Sequence, residues 1–227
     1  MPKAIKKRVS RKTQGEDNLG ETVADIRKKF QERQSTLVYA FLIFVLIVII
    51  VGALVVYHRS SVAKAKEMEY EGYKIFSGAT ATQYASPADR FKEALEKFKA
   101  SFAAEKSPTA LLNIANCYYE LGNLDEALKT LKELTGQYSD PKITSLAYYK
   151  MAITFIRKGD LNSALNTFGI ISSIKDAPLH DMALIESGKI LESMGKTEEA
   201  KGKYKELINK FPTSPLVNDA NSRLGSP

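Results

Sequence analysis

The stretch YELGNLDEALKTLKEL, residues 119–134, carries the pattern that decides the fold. Its glycine is followed after five residues by an alanine, after four more by a large apolar residue, and after three more by an aliphatic one. The same spacing returns in IRKGDLNSALNTFGII, residues 156–171, and in ESMGKTEEAKGKYKEL, residues 192–207. The three glycines lie 37 and 36 residues apart, and a repeat of this length indicates a solenoid of stacked helical hairpins.

Proline and cap residues predict where the helices of each hairpin begin. A serine or aspartate before proline suits a helix start, because its side chain caps free amides and proline fits the first turn. Asn123 with Glu126 comes close to a capping box, and Asp160 offers a cap. The first helices are predicted to start near Ser107-Pro108, Asp140-Pro141 and Ala177-Pro178, and the second helices after Gly122-Asn123, Gly159-Asp160 and Gly195-Lys196.

Weaker helical patterns flank these hairpins. Residues 60–78 place apolar side chains on one face, and Ser86-Pro87 opens a helix with an apolar stripe, so the two form a degenerate first hairpin. Ser214-Pro215 begins a short closing helix. We therefore predict an all-α fold, a solenoid of about three to four hairpins with a C-terminal capping helix.

A long apolar run precedes the solenoid. Residues 37–57 contain no charged side chain and would form a helix of about 31 Å, which matches the hydrocarbon thickness of a bilayer. A cleaved signal peptide is the alternative, but its apolar core is typically about 7–15 residues and follows a short basic stretch. We predict one permanent transmembrane helix. The predicted divisions are a tail at 1–35, the span at 36–57, the degenerate hairpin at 58–106, three repeats at 107–212, and the capping helix with its tail at 213–227.

The net charge of +7 is concentrated before the span. Residues 1–35 hold ten Lys and Arg against five Asp and Glu. Basic residues next to the span are equally numerous on both sides, so the charge of the whole tail favours a cytoplasmic N-terminus, with the repeats in the periplasm. The remainder of the chain is nearly balanced in charge, which argues against a nucleic-acid partner.

The tail divides into two parts. Up to Asp17 it is polar and charged, and we expect it to be disordered. Leu19, Val23, Ile26 and Phe30 then recur at helical spacing beside basic residues. This spacing fits an amphipathic helix on an anionic membrane surface, and equally a solvated stretch in which the spacing is accidental.

The hairpins resemble the tetratricopeptide repeat family, whose pattern combines W-x2-L-G-x2-Y, A-x3-F and a later proline. The tryptophan position is never Trp, because the chain has none. Small residues at Ala115, Ala152 and Gly188 would let paired helices approach closely. The matching residues are Leu111, Ile114, Ala115, Tyr118, Ala127 and Leu131 in the first repeat, Tyr148, Met151, Ala152, Phe155, Ala164 and Phe168 in the second, and Leu184, Ser187, Gly188, Leu191, Ala200, Tyr204 and Pro212 in the third.

The whole layout resembles the membrane-anchored ancillary subunit of the bacterial SecYEG translocon. This resemblance implies a protein of the bacterial inner membrane whose periplasmic repeats act as an adaptor between the translocon and periplasmic chaperones or unfolded clients. The alternative is a structural scaffold of an envelope assembly or export machine, with the repeats on either side of the membrane.

The family resemblance also implies where a partner protein binds, because the first helix of each hairpin lines the concave face of such solenoids. Tyr149, Ile153 and Arg157 are the leading candidates, since tyrosine and arginine are enriched in interfaces. A clamp for a C-terminal carboxylate is absent, because its positions hold Leu112, Asn116, Lys150, Met182 and Glu186. We predict that ten residues form the groove that binds the partner, and the name groove is used for this set: Asn113, Asn116, Tyr119, Tyr149, Lys150, Ile153, Arg157, Met182, Ile185 and Lys189.

Residues typical of catalysis are sparse and scattered. His58 and His180 have no nucleophile placed with them, although Asp181 follows the second histidine. The single cysteine, Cys117, reads as a small buried apolar residue, and no glycine-rich phosphate loop occurs. We therefore predict a non-enzymatic protein with no cofactor, no metal and no small-molecule substrate.

Overall fold

The computed structural model describes the backbone of residues 14–79, 84–175 and 177–225, and the side chains in these ranges from residue 22 onward. The described part is helical, which confirms the all-α fold class. Its helices are α1 (Gln14–Glu32), α2 (Gln34–Ser77), α3 (Pro87–Ala104), α4 (Pro108–Glu120), α5 (Leu124–Gln137), α6 (Pro141–Lys158), α7 (Leu161–Ser173), α8 (His180–Ser193), α9 (Thr197–Lys210) and α10 (Val217–Gly225).

The chain divides into two compact units, Met1–Arg59 and Ser60–Pro227. In the first unit α1 begins at Gln14, so the disorder expected up to Asp17 is wrong for residues 14–17. The same expectation for residues 1–13 lies outside the described residues. Val23, Ile26 and Phe30 are all more than half exposed on α1.

The apolar run lies at the start of α2. This helix contains an 18-residue window with a mean hydropathy of 3.2, of which 0% is buried, so by length and composition it is a candidate membrane span. Large side chains from Leu37 to Tyr57 are exposed along it. The helix continues beyond the predicted end of the span at residue 57, and its last residue is Ser77.

In the second unit, hydrogen bonds and an ion pair join α3 to the last part of α2. Ser101 Oγ donates to the Ala65 carbonyl at 2.9 Å, and Ser61 Oγ donates to the Ala104 carbonyl at 2.8 Å. Lys97 Nζ lies 2.6 Å from Glu71 Oε2. These contacts hold α3 against the last part of α2, the two helices of the predicted degenerate hairpin.

From α4 to α10 each helix packs against the helix before it, which is the order of contacts in a solenoid. The core follows the same order in four clusters of buried side chains along the stack. Each cluster contains a large side chain that is at most 1% exposed, namely Phe98, Leu131, Phe168 and Tyr204.

The glycine pattern has a direct backbone cause. Gly122, Gly159 and Gly195 have φ values of 76°, 78° and 74°, a left-handed conformation that costs glycine little because it has no Cβ. After each glycine, the next amide donates to a carbonyl five residues earlier at 2.8–2.9 Å. This is the Schellman motif, which ends the first helix and turns the chain into the second.

Two predicted helix starts differ from the structure, those of α8 and α10, and α10 begins at Val217 rather than at Ser214-Pro215. The second helices begin where they were predicted, directly after Asn123, Asp160 and Lys196. Asn123 makes no side-chain cap bond, although Asp160 does accept from the Ser163 amide at 3.0 Å. The third first helix, α8, begins at His180 rather than at Pro178, because Leu179 adopts a left-handed φ of 72°. His180 Nε2 donates to the Ile171 carbonyl at 2.5 Å, so this start is fixed by a contact with the end of α7.

Candidate protein-docking groove

The groove residues lie on α4, α6 and α8, the first helices of the three hairpins. Apart from Ile185, all of them are at least partly exposed. Asn116, Tyr119, Lys150 and Ile153 come together in one cleft between α4 and α6. Sequence reasoning therefore identified side chains that the fold brings together, although they lie on two different hairpins.

Ile185 is a correction to the predicted groove. It is 2% exposed and packs in the last core cluster with Leu184 and Tyr204. Leu216 and Val217, at the start of the closing segment, pack against the same cluster. The closing segment thus packs against the cluster that contains Ile185.

The cleft between α4 and α6 is narrow. Ala115, Leu131 and Thr154 complete its lining, and it encloses about 20 Å³. Small-molecule sites typically occupy about 300–1,000 Å³, whereas this volume is close to that of one water molecule. The cleft is therefore too small to hold a free metabolite.

Arg157 joins the first two hairpins. Its Nη1 donates to the Tyr119 carbonyl at 2.5 Å, and its guanidinium lies 4.5 Å from the centre of the Tyr119 ring. A stacked arginine of this kind is fixed in place by both contacts. Replacing Arg157 would consequently loosen α6 from α4.

The ring of Tyr149 packs against a buried aromatic side chain. Its ring centre lies 5.7 Å from that of Phe168, which is buried in α7. Burial, and then the nearby Glu186 carboxylate, raise the pKa of the Tyr149 hydroxyl. Tyr149 is therefore a partly exposed residue with a neutral hydroxyl and a ring packed against Phe168.

The α8 end of the groove is occupied by ion pairs within the chain. Lys189 Nζ lies 3.1 Å from Glu186 and 3.5 Å from Asp219 of α10. Arg223 of α10 in turn contacts Glu192 at 2.7 Å and Asp219 at 3.0 Å. Sequence reasoning missed these contacts between α8 and α10, because only the spacing of Asp219 and Arg223 within one helix is visible in the sequence. Met182, at the start of the same helix, is partly exposed.

The α4–α6 end differs, because its polar groups are unused. Among the described residues, none hydrogen-bonds to the side-chain amides of Asn113 and Asn116, and none places a carboxylate within ion-pair distance of Lys150. These three side chains are partly exposed, so their polar groups are accessible from outside the chain. The groove thus has a self-paired end at α8 and an open end at α4–α6.

Cys117 is buried beneath the start of this groove. Its side chain is 0% exposed, and burial, with a smaller effect of Glu120, raises the pKa of the thiol to about 12. A thiolate is the reactive form, so this thiol is chemically inert in the folded chain.

We expect a thiol reagent such as dithionitrobenzoate to label Cys117 at pH 8 roughly a thousandfold more slowly in the folded chain than in urea. The folded pKa is raised, so the stability contributed by this thiol is complete below pH 9.0 and declines as pH rises toward about 12. Stopped-flow absorbance measures the labelling rate. Rapid labelling of the folded chain would show that the thiol is accessible.

His180 and Asp181 do not form a pair. The histidine bonds to the Ile171 carbonyl, while Asp181 accepts from Ser214 Oγ at 2.6 Å. No group of three or more His, Cys, Asp or Glu side chains in the described ranges is placed to hold a metal ion. These residues therefore have structural roles at the start of α8.

Comparison with known proteins agrees with this geometry. A family model described as a tetratricopeptide repeat-like domain matches residues 24–220. The heat shock protein sti1 homolog of Schizosaccharomyces pombe is 28% identical over a region covering 55% of this chain and 26% of that protein. The chain thus spans about a quarter of this relative's length.

Two solved structures share the fold. A tetratricopeptide repeat protein from Parabacteroides merdae has a TM-score of 0.55 and 17% identity, over 71% of this chain and 59% of that one. PilW, described as a widely conserved type IV pilus biogenesis factor, has a TM-score of 0.54 and 21% identity, over 70% of this chain and 67% of that one. At these identities the similarity concerns the fold alone.

Proposed function

We propose, from the premise that the chain belongs to the family of tetratricopeptide repeat-like domains, that it holds other proteins in its groove beside a bilayer. Domains of this family are typically non-enzymatic scaffolds for protein–protein interaction. The observation that carries the proposal is the set of unused, partly buried polar groups at the α4–α6 end. Such groups can exchange hydrogen bonds with a bound protein.

The proposal includes a membrane anchor at the start of α2. Exposed large apolar side chains run along this helix from Leu37 to Tyr57. No described residue covers them, and a surface of this kind is stable in lipid but not in water. The chain would then be a single-pass protein whose groove works close to the bilayer.

In its specific form the proposal is an adaptor in the bacterial inner membrane. Its N-terminus lies in the cytoplasm, and its periplasmic repeats link the Sec translocon to chaperones or unfolded clients. The basic tail and the layout shared with the ancillary translocon subunit support this assignment. A structural scaffold of an envelope assembly or export machine would use the same groove, and the identity of the bound protein separates the two.

Two experiments test this proposal in whole cells. Proteinase K should digest the repeats in spheroplasts and leave them intact in intact cells; digestion in inverted vesicles instead would place them in the cytoplasm.

Benzoylphenylalanine introduced in place of Tyr149 should give one discrete adduct upon illumination. Adducts with translocon subunits or periplasmic chaperones support the adaptor, whereas adducts only with an envelope assembly protein support the scaffold. The absence of any adduct would count against docking in the groove.

A further inference from the structure

The helix α1, which precedes the apolar run, has an exposed apolar stripe. Val23, Ile26 and Phe30 are 57%, 61% and 64% exposed and follow one another at spacings of three and four residues. At about 100° of rotation per residue, these three side chains lie within an arc of 60°. A helix whose apolar face stays in water is only marginally stable, because most helical stability in proteins comes from packing that face. The stripe therefore calls for a surface to cover it.

The charged side chains are distributed unequally around this stripe. Counted at about 100° per residue, Arg27 lies 40° beyond one edge of the stripe, and Arg33 and Lys29 lie 20° and 60° beyond the other. The amide of Arg33 donates to the Lys29 carbonyl at 3.2 Å, so the same helical rotation applies to it. Asp25 and Glu32 lie about 130° and 150° from the centre of the stripe. Among the described side chains, basic groups thus flank the apolar stripe and acidic groups face away from it.

This distribution is complementary to an anionic lipid surface. Cations on both edges of an apolar stripe can reach lipid phosphates while the stripe enters the boundary of the acyl chains. Two copies of the helix packed stripe to stripe would instead bring the basic residues of one copy against those of the other, and like charges repel. Lys29 pairs with Asp25 at 3.2 Å, but both side chains are well exposed, so this ion pair is weak.

The place of α1 in the chain keeps the stripe close to lipid. α1 ends at Glu32, α2 begins at Gln34, and the apolar run of α2 starts at Leu37. The helical rise from Phe30 to Leu37 is about 10 Å, which is also the distance over which a charged surface attracts a cation at physiological salt. The stripe and its flanking cations are therefore within reach of the leaflet in which α2 would be anchored.

We infer that α1 binds the surface of this leaflet, with Val23, Ile26 and Phe30 in the acyl boundary and with Arg27 and Arg33 on the phosphates of anionic phospholipids. The chain changes direction at Arg33, between the two helices. This inference rests on the membrane anchor of the proposed function and adds a lipid-binding surface that is separate from the groove. The chain would consequently prefer membranes rich in anionic lipid, a preference that an apolar span alone does not give.

The test uses the full chain in nanodiscs of phosphatidylcholine, alone or with about one third of phosphatidylglycerol. A nitrobenzoxadiazole label, which is brighter in an apolar environment, is attached through Val23→Cys on the stripe or through Ala24→Cys, about 130° from its centre. Cys117 is 0% exposed and does not compete for the label. We expect phosphatidylglycerol to raise the emission at position 23 about twofold and to leave the emission at position 24 unchanged.

Two double variants of the labelled chain separate the flanking cations from net charge. Arg27→Gln with Arg33→Gln should abolish the effect of phosphatidylglycerol at position 23. Lys28→Gln with Lys142→Gln removes the same number of charges and should keep most of the effect. Lys28 lies about 170° from the centre of the stripe, and Lys142 is an exposed residue in the first turn of α6.

The other outcomes overturn the inference. Equal emission at positions 23 and 24 in both lipids would show that the stripe stays in water, and an equal loss in the two double variants would remove the flanking cations as the lipid contacts. A rise at position 23 that needs two chains in one disc would show that a second copy covers the stripe. In all three cases a chain that co-elutes with the discs still has its anchor, whereas a chain that does not enter the discs would contradict the anchor as well.

Discussion

Replacing Gly188 with alanine is expected to destabilise the last hairpin by about 3 kcal/mol. A Cβ at this position would lie 2.2 Å from Cε1, 2.6 Å from Cζ and 2.9 Å from Cδ1 of Tyr204. These are overlaps with a rigid ring, and Tyr204 is 0% exposed, so the ring has no free space to enter. Either α8 must move away from α9 or the tyrosine must leave its rotamer, and both disturb the last core cluster.

The loss of stability expected for Gly188→Ala is opposite in sign to the usual effect of this substitution, because alanine normally favours a helix more than glycine does. In a helix interior, changing glycine to alanine stabilises by about 1 kcal/mol. Thermal unfolding of the full-length chain in detergent, followed by circular dichroism, should show a decrease in Tm of roughly 6–12 °C for Gly188→Ala.

Gly202 of α9 provides the matched control, because a Cβ there would have no neighbouring atom within 4 Å. Gly202→Ala should leave Tm unchanged or raise it slightly. Adding Tyr204→Leu to Gly188→Ala should recover part of the loss, because the smaller side chain frees the space that the new methyl group needs. Equal Tm values for Gly188→Ala and Gly202→Ala would contradict the close approach of α8 and α9.

Gly188 also illustrates what could be predicted from sequence. The family resemblance indicated a small residue there for close helix packing, and the structure confirms this with Tyr204 as the opposing side chain. The left-handed glycines and the starts of α3, α4 and α6 were likewise predictable, because caps, prolines and C-terminal glycines act on their own helix ends.

The predictions that were wrong concern positions whose environment is set by residues far away in the sequence. At the start of α8, His180 bonds to the Ile171 carbonyl, and Ile185 is buried in the cluster against which the closing segment packs. Neither partner is marked by spacing in the sequence. For the same reason, the bond from Arg157 to Tyr119 was not foreseen, although both residues were expected in the groove.

The surroundings of Lys150 in the folded chain also depend on contacts between residues far apart in the sequence. The sequence places a lysine on the groove face of α6, but the side chains that surround it follow only when the neighbouring helices are in place. Several other lysines of the described residues have a carboxylate three or four residues away, as Lys201 of α9 does with Glu198.

Replacing Ile153 with glutamine is expected to lower the binding of partner proteins more than tenfold. Ile153 lines the cleft between α4 and α6, so a polar side chain there would remove the apolar contact at the centre of the open end. Truncating a hot-spot residue at the centre of an interface costs about 2 kcal/mol or more of binding free energy. A loss of that size lowers the affinity more than tenfold. Glutamine is a good helix former and similar in length, so the helix itself should persist.

Ile170 of α7 is the matched control, because it is the same residue type, lies outside the groove and is 40% exposed. Both variants should keep the circular dichroism spectrum of the wild-type chain. A control with lower helicity would invalidate the comparison, and Leu could then replace Gln at both positions to test shape alone.

The most direct measurement is affinity capture from detergent-solubilised membranes with the wild-type chain, Ile153→Gln and Ile170→Gln, quantified by mass spectrometry. Docking in the groove predicts that proteins captured by the wild-type chain are retained by Ile170→Gln and depleted more than tenfold by Ile153→Gln. Equal capture by all three chains would contradict the claim that the α4–α6 groove is the docking surface.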